Sequence, residues 1–328
     1  MTPSRGLAVL VVVALVAAAL RLATGPVAVD DGIVVAVGMP RADLLPLRLS
    51  AVLSASALGA ALALSGLALQ VLLRNPLASP FVLGVSSGAG FGVALVLALA
   101  WRLAIPSVAF GGEVGGAIAG ACATIVLVGW LGGARRGGDP TALVLAGVVA
   151  GAILSAGTML VEQLVPFGLR GDLLSWMAGR LPELPSRGAL ATMSASAVAG
   201  LVVLQSLAPA LDVACLSDDE ARSSGVRLDR LRATLFLVGG TLAAVAVAYA
   251  GPVGFVGLLG PHLARRIVGA SHRVVVPATA VAGVALLLVA DLARQAIDLG
   301  TGRLPIGVVT ALAGGPAFLI LLRRRGAR

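Results

Sequence analysis

Apolar residues run in long blocks along almost the whole chain, broken by short polar segments. Ten blocks stand out, at 7–24, 49–72, 81–101, 113–132, 141–164, 188–207, 233–250, 253–269, 274–292 and 306–322. Most approach the roughly 20 residues that a helix needs to cross a bilayer. The pattern predicts a polytopic, all-α membrane protein of about ten transmembrane helices, with no sizeable soluble domain. The first block has the outline of a signal peptide: Arg5, an apolar core, then Leu22-Ala23-Thr24. Because further spans follow, it reads as a retained first span. An even number of spans puts both termini on one side.

The polar breaks indicate which side. With the N-terminus in the cytoplasm, the inner segments carry 15 arginines, among them Arg5, Arg74, Arg135, Arg136, Arg227, Arg230, Arg324, Arg325 and Arg328. The outer segments carry 9, among them Arg21, Arg41, Arg48, Arg294 and Arg303. The excess of basic residues favours both termini in the cytoplasm. The longest inner loop is then 208–232. Within it Ser217-Asp218-Asp219-Glu220 forms a capping box, in which the serine side chain bonds the third amide and the glutamate reaches back. Acids at the start suit the helix dipole, and Gly225 supplies a natural stop. A helix of about two turns follows. Alone in water it would not persist, so it packs on its own protein, lies as a solvated loop helix, or docks on a partner.

Composition agrees. Of 328 residues, 59% are hydrophobic and only 12% charged, with mean hydropathy +1.04, against ~25% charged in soluble domains. The 43 glycines suit close helix packing in lipid. The net charge of +9 is carried wholly by arginine. In a soluble chain it would suggest nucleic acid; here it reads as span-flanking charge, and no nucleic-acid partner is expected. Cys122 lies in an apolar run and Cys215 in a polar loop, so neither a disulfide nor a metal site is expected.

The break from Arg74 to Gly90, RNPLASPFVLGVSSGAG, is rich in proline, serine and glycine. Asn75-Pro76 and Ser79-Pro80 push the chain out of helical geometry. Gly84-Val85-Ser86-Ser87-Gly88 also spells the G-x-S-x-G of a serine nucleophile. A base would have to be His262 or His272, and nothing in the spacing brings either to Ser86. An intramembrane serine protease of rhomboid type is the alternative this motif raises. An ion-coupled secondary transporter is another, but that would want paired ionisable groups deep in the bilayer, and the chain offers few. No G-x-x-x-x-G-K-[ST] nucleotide loop is present.

Taken in order, several stretches resemble the FecCD/BtuC-type permeases of ATP-binding-cassette importers, which take up ferric siderophores, haem and cobalamin. Gly59-Ala60-Ala61-Leu62-Ala63-Leu64-Ser65-Gly66, then Gln70 and Arg74-Asn75-Pro76-Leu77-Ala78-Ser79-Pro80, is similar to that family's GAALALSG…Q…RNPLADP. Leu83 to Ala89 looks like its LGVSSGA. Gly254-Phe255-Val256-Gly257-Leu258 with Pro261-His262-Leu263-Ala264-Arg265 looks like its GFVGL…PHLAR. Asp291 with Arg294, Leu304 to Ala311, and Gly315-Pro316 with Phe318 complete the resemblance over nearly the whole chain.

The resemblance implies one BtuC-like (type II) permease domain over 1–328, with no catalytic residue and no cofactor of its own. It implies a second copy or a sister permease, two ATPase subunits below, a substrate-binding protein above and a metal-chelate cargo in a bacterial inner membrane. It places the loop 208–232 at the ATPase, through Ser217, Asp218, Asp219, Glu220, Ala221, Arg222, Gly225 and Val226. It makes Arg48 and Arg294 docking residues for the binding protein. Gly84, Ser86, Ser87 and Gly88 become helix-packing residues beside the translocation pathway. Four departures stand out. Arg48-Leu49-Ser50-Ala51 lacks the proline and second arginine of R-x-P-R, and Arg41 is a candidate substitute. Arg303 reverses an acid, Ser79 replaces an aspartate, and Ser217 and Ser224 replace the glycine and leucine of the coupling helix.

Among single residues, Glu162 is expected to reach water at the outer end of span five. Asp291 and Arg294, at i and i+3, are expected to pair. His262 reads as a helix-start hydrogen-bonding residue. Trp101, Trp130 and Trp176 are expected at span ends or interfaces, with a short helix around Trp176 over the mouth of the pathway.

Overall fold

The computed structural model describes residues 2–29, 32–38, 42, 44–107, 112–133, 139–297 and 303–323. Arg41, Arg135, Arg136, Arg324, Arg325 and Arg328, which entered the sequence reading, lie outside them.

The described chain is a helical bundle. Its spans are α1 (Pro3–Ala23), α2 (Leu45–Leu72), α3 (Val85–Leu103), α4 (Gly112–Leu131), α5 (Pro140–Leu164), α7 (Arg187–Ser206), α10 (Leu228–Ala250), α11 (Val256–Val268), α12 (His272–Ala296) and α13 (Ile306–Arg323). Between them lie three short helices, α6 (Phe167–Met177), α8 (Ala208–Ala214) and α9 (Asp218–Ser223), and a hairpin of β1 (Thr24–Val29) and β2 (Gly32–Val37). Eight of the described helices are long and apolar enough to cross a membrane; α11 and α13 fall short of that length or hydropathy.

The centre of the bundle is α2. Leu62, Leu64, Leu67 and Leu69 on it are fully buried, and it packs on α12, α10, α7 and α11. Close approach is built from small residues. A side-chain carbon on Gly59 would strike the backbone of Gly283 on α12, and one on Gly66 the backbone of Gly257 on α11. Without a hydrophobic drive between helices in lipid, such backbone contact is what holds spans together. On the flank, Gly88 and Gly92 of α3 meet Gly120 and Gly116 of α4, a small-xxx-small face on both helices.

Several span limits differ from the hydropathy reading. Helix α2 begins at Leu45 rather than 49, and α10 at Leu228 rather than 233, because first turns that carry arginine extend the apolar helices beyond the window. The third span opens with a 3₁₀ turn, Pro80–Leu83, and only after Gly84 does α3 start. The eighth is shortened at its start: residues 251–255 are not helical, and Phe255 sits at φ 65° as the cap of α11. Thirteen helical residues span only ~20 Å, and the non-helical run 251–255 lies directly before them. Irregular backbone at that depth is tolerated when buried in protein, and Gly251 and Val253 are buried.

The hairpin was absent from the sequence reading. Its strands pair antiparallel from Thr24↔Val37 to Val29↔Gly32. Trp176 is a correction to the expected interfacial ring: it is 1% exposed, and α6 rests on α3, with Gly90 leaving room for the indole. Trp101 and Trp130 are exposed near the ends of their spans, as expected.

Candidate functional site

The charged side chains gather at the two ends of the bundle. At one end, α9 has the capping box the sequence spelled. The Ser217 hydroxyl accepts from the Glu220 amide, and the Glu220 carboxylate accepts from the Ser217 amide at 3.0 Å. Gly225 follows the cap residue Ser224 at φ 80°, with open space around it. That left-handed turn lets the Val226 amide reach back to the Ala221 carbonyl at 3.2 Å, as in helix-ending motifs. Ala221 is fully buried, while Ser217, Asp219, Glu220, Arg222, Ser223 and Ser224 stay largely in solvent.

The short helix is clamped from outside by Asp218. Its carboxylate meets Arg74 at 2.7 Å and Arg232 at 2.9 Å. Arg74 also donates to the Ala214 carbonyl at 3.1 Å, from a backbone held at φ 46°. One acid thereby joins the proline turn after α2, the short helix α9 and the second turn of α10. Burial pushes the Asp218 carboxyl up, but hydrogen bonding and charge from Arg232 and Arg74 outweigh it and hold it below the usual carboxylate value. Bonds from the Ser217 side chain and backbone likewise lower Glu220. Behind the clamp, Asp212 on α8 accepts from the His272 amide at 2.8 Å and contacts its ring nitrogen at 2.6 Å. It thereby puts a negative charge on the N-terminus of α12.

At the other end an ion network runs through the bundle. Buried Asp291 receives Arg21 and, at 2.5 Å, Arg294, so the expected i, i+3 pair is present. Arg294 also meets Glu183 at 2.5 Å, and Arg303 contacts the same carboxylate. Arg303, the reversed charge, thus finds its acid within the chain. Arg48 and Arg294 are 5% and 6% exposed. Arg48 lies under the hairpin against Gly25 and donates to the Leu22 carbonyl at 2.8 Å. Sequence reasoning overlooked Glu183 and the pairing role of Arg21. It also missed the hairpin over Arg48, although Asp31-Gly32 between two valine-rich runs is a hairpin signal.

The loop carrying Glu183 also closes this end. The Ser50 hydroxyl donates to the Glu183 carbonyl at 2.6 Å. The Arg180 amide donates to the Ala250 carbonyl at 2.7 Å, and the Ile306 amide to the Gly179 carbonyl at 3.1 Å. The ends of α6 and α10 and the start of α13 therefore meet backbone to backbone.

The G-x-S-x-G stretch has no nucleophile geometry. The Ser87 hydroxyl accepts from Ser155 of α5 at 3.0 Å, while the His262 ring sits against Phe318 of α13 with centroids 6.3 Å apart. Gly84, at φ 69°, serves as a backbone joint, and a side-chain carbon there would come 2.7 Å from the Gly147 carbonyl of α5.

A glycine-packed bundle of spans, with a capped helix held out at one end and an ion network at the other, is the build of a membrane permease. The chain belongs to the FecCD transport family, which it matches over residues 7–324. It is 36% identical over 86% of its length to the cobalamin import system permease protein BtuC of Halobacterium salinarum, covering 73% of that protein. It is 37% identical to the Fe(3+) dicitrate transport system permease protein FecC of Escherichia coli, over 88% of this chain and 85% of that one. The hemin transport system permease protein HmuU of Yersinia pestis is 36% identical over 87% and 84% of the two chains. A solved metal-chelate type ABC transporter, in an inward-facing conformation, superposes with a TM-score of 0.84 at 27% identity, over 98% of this chain and 99% of that chain. The chain is accordingly a multi-pass membrane permease of an ABC importer, and neither the protease nor the ion-coupled reading finds support.

Proposed function

We propose that this permease carries a ferric siderophore, or the related chelates haem or cobalamin, into the cytoplasm by ATP-driven alternating access. The names of its relatives support that cargo class. In this reading residues 1–328 act as one transmembrane unit, paired with a second copy or a sister permease. Both termini and the loop 208–232 face the cytoplasm. Two ATPase subunits hydrolyse ATP, and a binding protein delivers cargo at the opposite face.

The observation that carries the reading is the Asp218 clamp. A helix of six residues is too short to persist alone, yet it is capped, tied to two cytoplasmic arginines and left with most of its side chains in solvent. A partner pressing on Ser217 to Val226 would move the α2 turn and the start of α10 with it. At the outer face, Arg48 and Arg294 act from beneath the surface. They fix the hairpin and the Glu183 loop on which a binding protein would rest, and Arg303 is the more exposed cation. Gly84, Ser86, Ser87 and Gly88 form the joint by which α3 shifts between α4 and α5.

The test is uptake in a strain lacking the chain, with radiolabelled ferric siderophores, labelled haem and cobalamin supplied separately. Loss of one iron chelate, restored by the gene, supports the leading cargo. Loss of cobalamin uptake alone would replace that cargo within the same mechanism.

A further inference from the structure

The ion network opposite α9 does not balance. Among the described residues it brings Arg21, Arg48, Arg294 and Arg303 together with only two acids, Asp291 and Glu183. Asp291 answers Arg21 and Arg294, and Glu183 answers Arg294 and Arg303. Arg48 is left over. It is buried, yet no carboxylate pairs with it among the described residues, and the charge that acts on it is the like charge of Arg21. Its hydrogen bonds go to the Leu22 carbonyl at 2.8 Å and the Gly38 carbonyl at 3.4 Å. Carbonyl dipoles satisfy donors but leave the charge, and charges buried in proteins are paired.

Arg48 lines a cavity of about 20 Å³, together with Arg21, Arg303, Glu183, Leu44 and Leu47. That is room for one particle of roughly the size of water, and too little for a phosphate or a sulfate. Three arginines reach the wall from separate segments: the last turn of α1, the first turn of α2 and the approach to α13. Glu183 is the one carboxylate in the wall among the described residues, and Arg294 and Arg303 already hold it. Leu44 and Leu47 make part of the wall apolar, and a low local dielectric strengthens the attraction between an ion and its partners. A water there would accept from Arg48 and leave its charge. A small anion would do both.

We infer that this cavity binds one chloride ion, held by Arg48 with Arg21 and Arg303. The ion neutralises the unpaired arginine beneath the hairpin. It also ties the end of α1, the start of α2 and the approach to α13 to one another. The inference needs neither cargo nor ATPase, and it holds whichever way the chain lies in the membrane.

The test is the thermal midpoint of the full-length permease in detergent, titrated with sodium chloride against sodium gluconate at constant ionic strength. Gluconate is too large for the cavity. The midpoint is expected to climb with the logarithm of chloride concentration, as for a ligand that binds only the folded state. Bromide should replace chloride, and sulfate should not. The chloride concentration that gives half of the stabilisation should rise at least about tenfold in Arg48→Gln, which removes a charged hydrogen-bond donor. Arg48→Lys, which keeps the charge, should shift it less. Arg303 is partly exposed, so Arg303→Gln spares the fold if Arg48→Gln does not, and it should weaken chloride in the same direction. Equal midpoints in chloride and gluconate would overturn the inference and leave a water in the cavity. A chloride effect unchanged in both glutamine variants would place the ion elsewhere and overturn it equally.

Discussion

Asp291 is the residue on which the end of the bundle opposite α9 balances. It is fully buried and answers two arginines that are themselves buried, Arg21 and Arg294. Removing one partner of a buried pair leaves uncompensated charge, at a cost of about 3–5 kcal/mol. Asp291→Ala is therefore expected to lower the thermal midpoint of the detergent-purified protein by far more than Glu183→Ala, whose carboxylate is partly exposed; equal shifts would refute this. Asp218 titrates in a known direction. Its folded pKa lies below the unfolded value of about 3.9, so its stabilisation is present above that value and is lost as pH falls through the folded one. Protection of residues 212–226 against hydrogen exchange, taken relative to the intrinsic rate at each pH, should fall over that acid range, and Asp218→Asn should flatten the profile at the level of the unclamped loop.

Elements with strong local chemistry were legible in the sequence. The capping box and Gly225 placed α9 correctly because both signals are short-range. Hydropathy marked the ten main helices of the bundle, eight of which are long and apolar enough to cross a membrane, but not their breaks. The joint at Gly84 and the non-helical run before α11 depend on contacts with α5 and with the Glu183 loop, which no window of apolar residues reports. The hairpin was masked by its valines, which raise hydropathy as a span does. Arg48 consequently read as a surface cation, whereas the hairpin buries it. Trp176 read as interfacial because its loop is polar, while α3 supplies a glycine cleft for it. At Gly84 the left-handed backbone and the approach to Gly147 both exclude a side chain. Gly84→Ala should cost at least ~1 kcal/mol from the backbone alone, read as a lower unfolding midpoint. An unchanged midpoint would show that α3 and α5 separate freely there.

At the scale of the whole molecule, one helical frame links the two ends. The Asp218 clamp ties the loop 208–232 to the turn after α2 and to α10, and α2 is the core against which α7, α10, α11 and α12 pack. A push on α9 therefore reaches the centre of the bundle. The Asp291 network, the hairpin and the Glu183 loop sit at the far ends of α1, α2, α12 and α13. Under the proposed function, motion of the core and opening of the opposite end are parts of one rearrangement.

The most direct measurement of that claim is cargo uptake together with ATP hydrolysis in proteoliposomes holding the permease, its ATPase and its binding protein, for the wild type and Gly225→Pro. Proline cannot adopt the φ of 80° at this position, and the space around the residue is open, so the bundle should still fold and assemble. The variant is expected to bind its ATPase, hydrolyse ATP without stimulation by loaded binding protein and transport at least tenfold less. Wild-type uptake per ATP from a correctly assembled Gly225→Pro complex would contradict it.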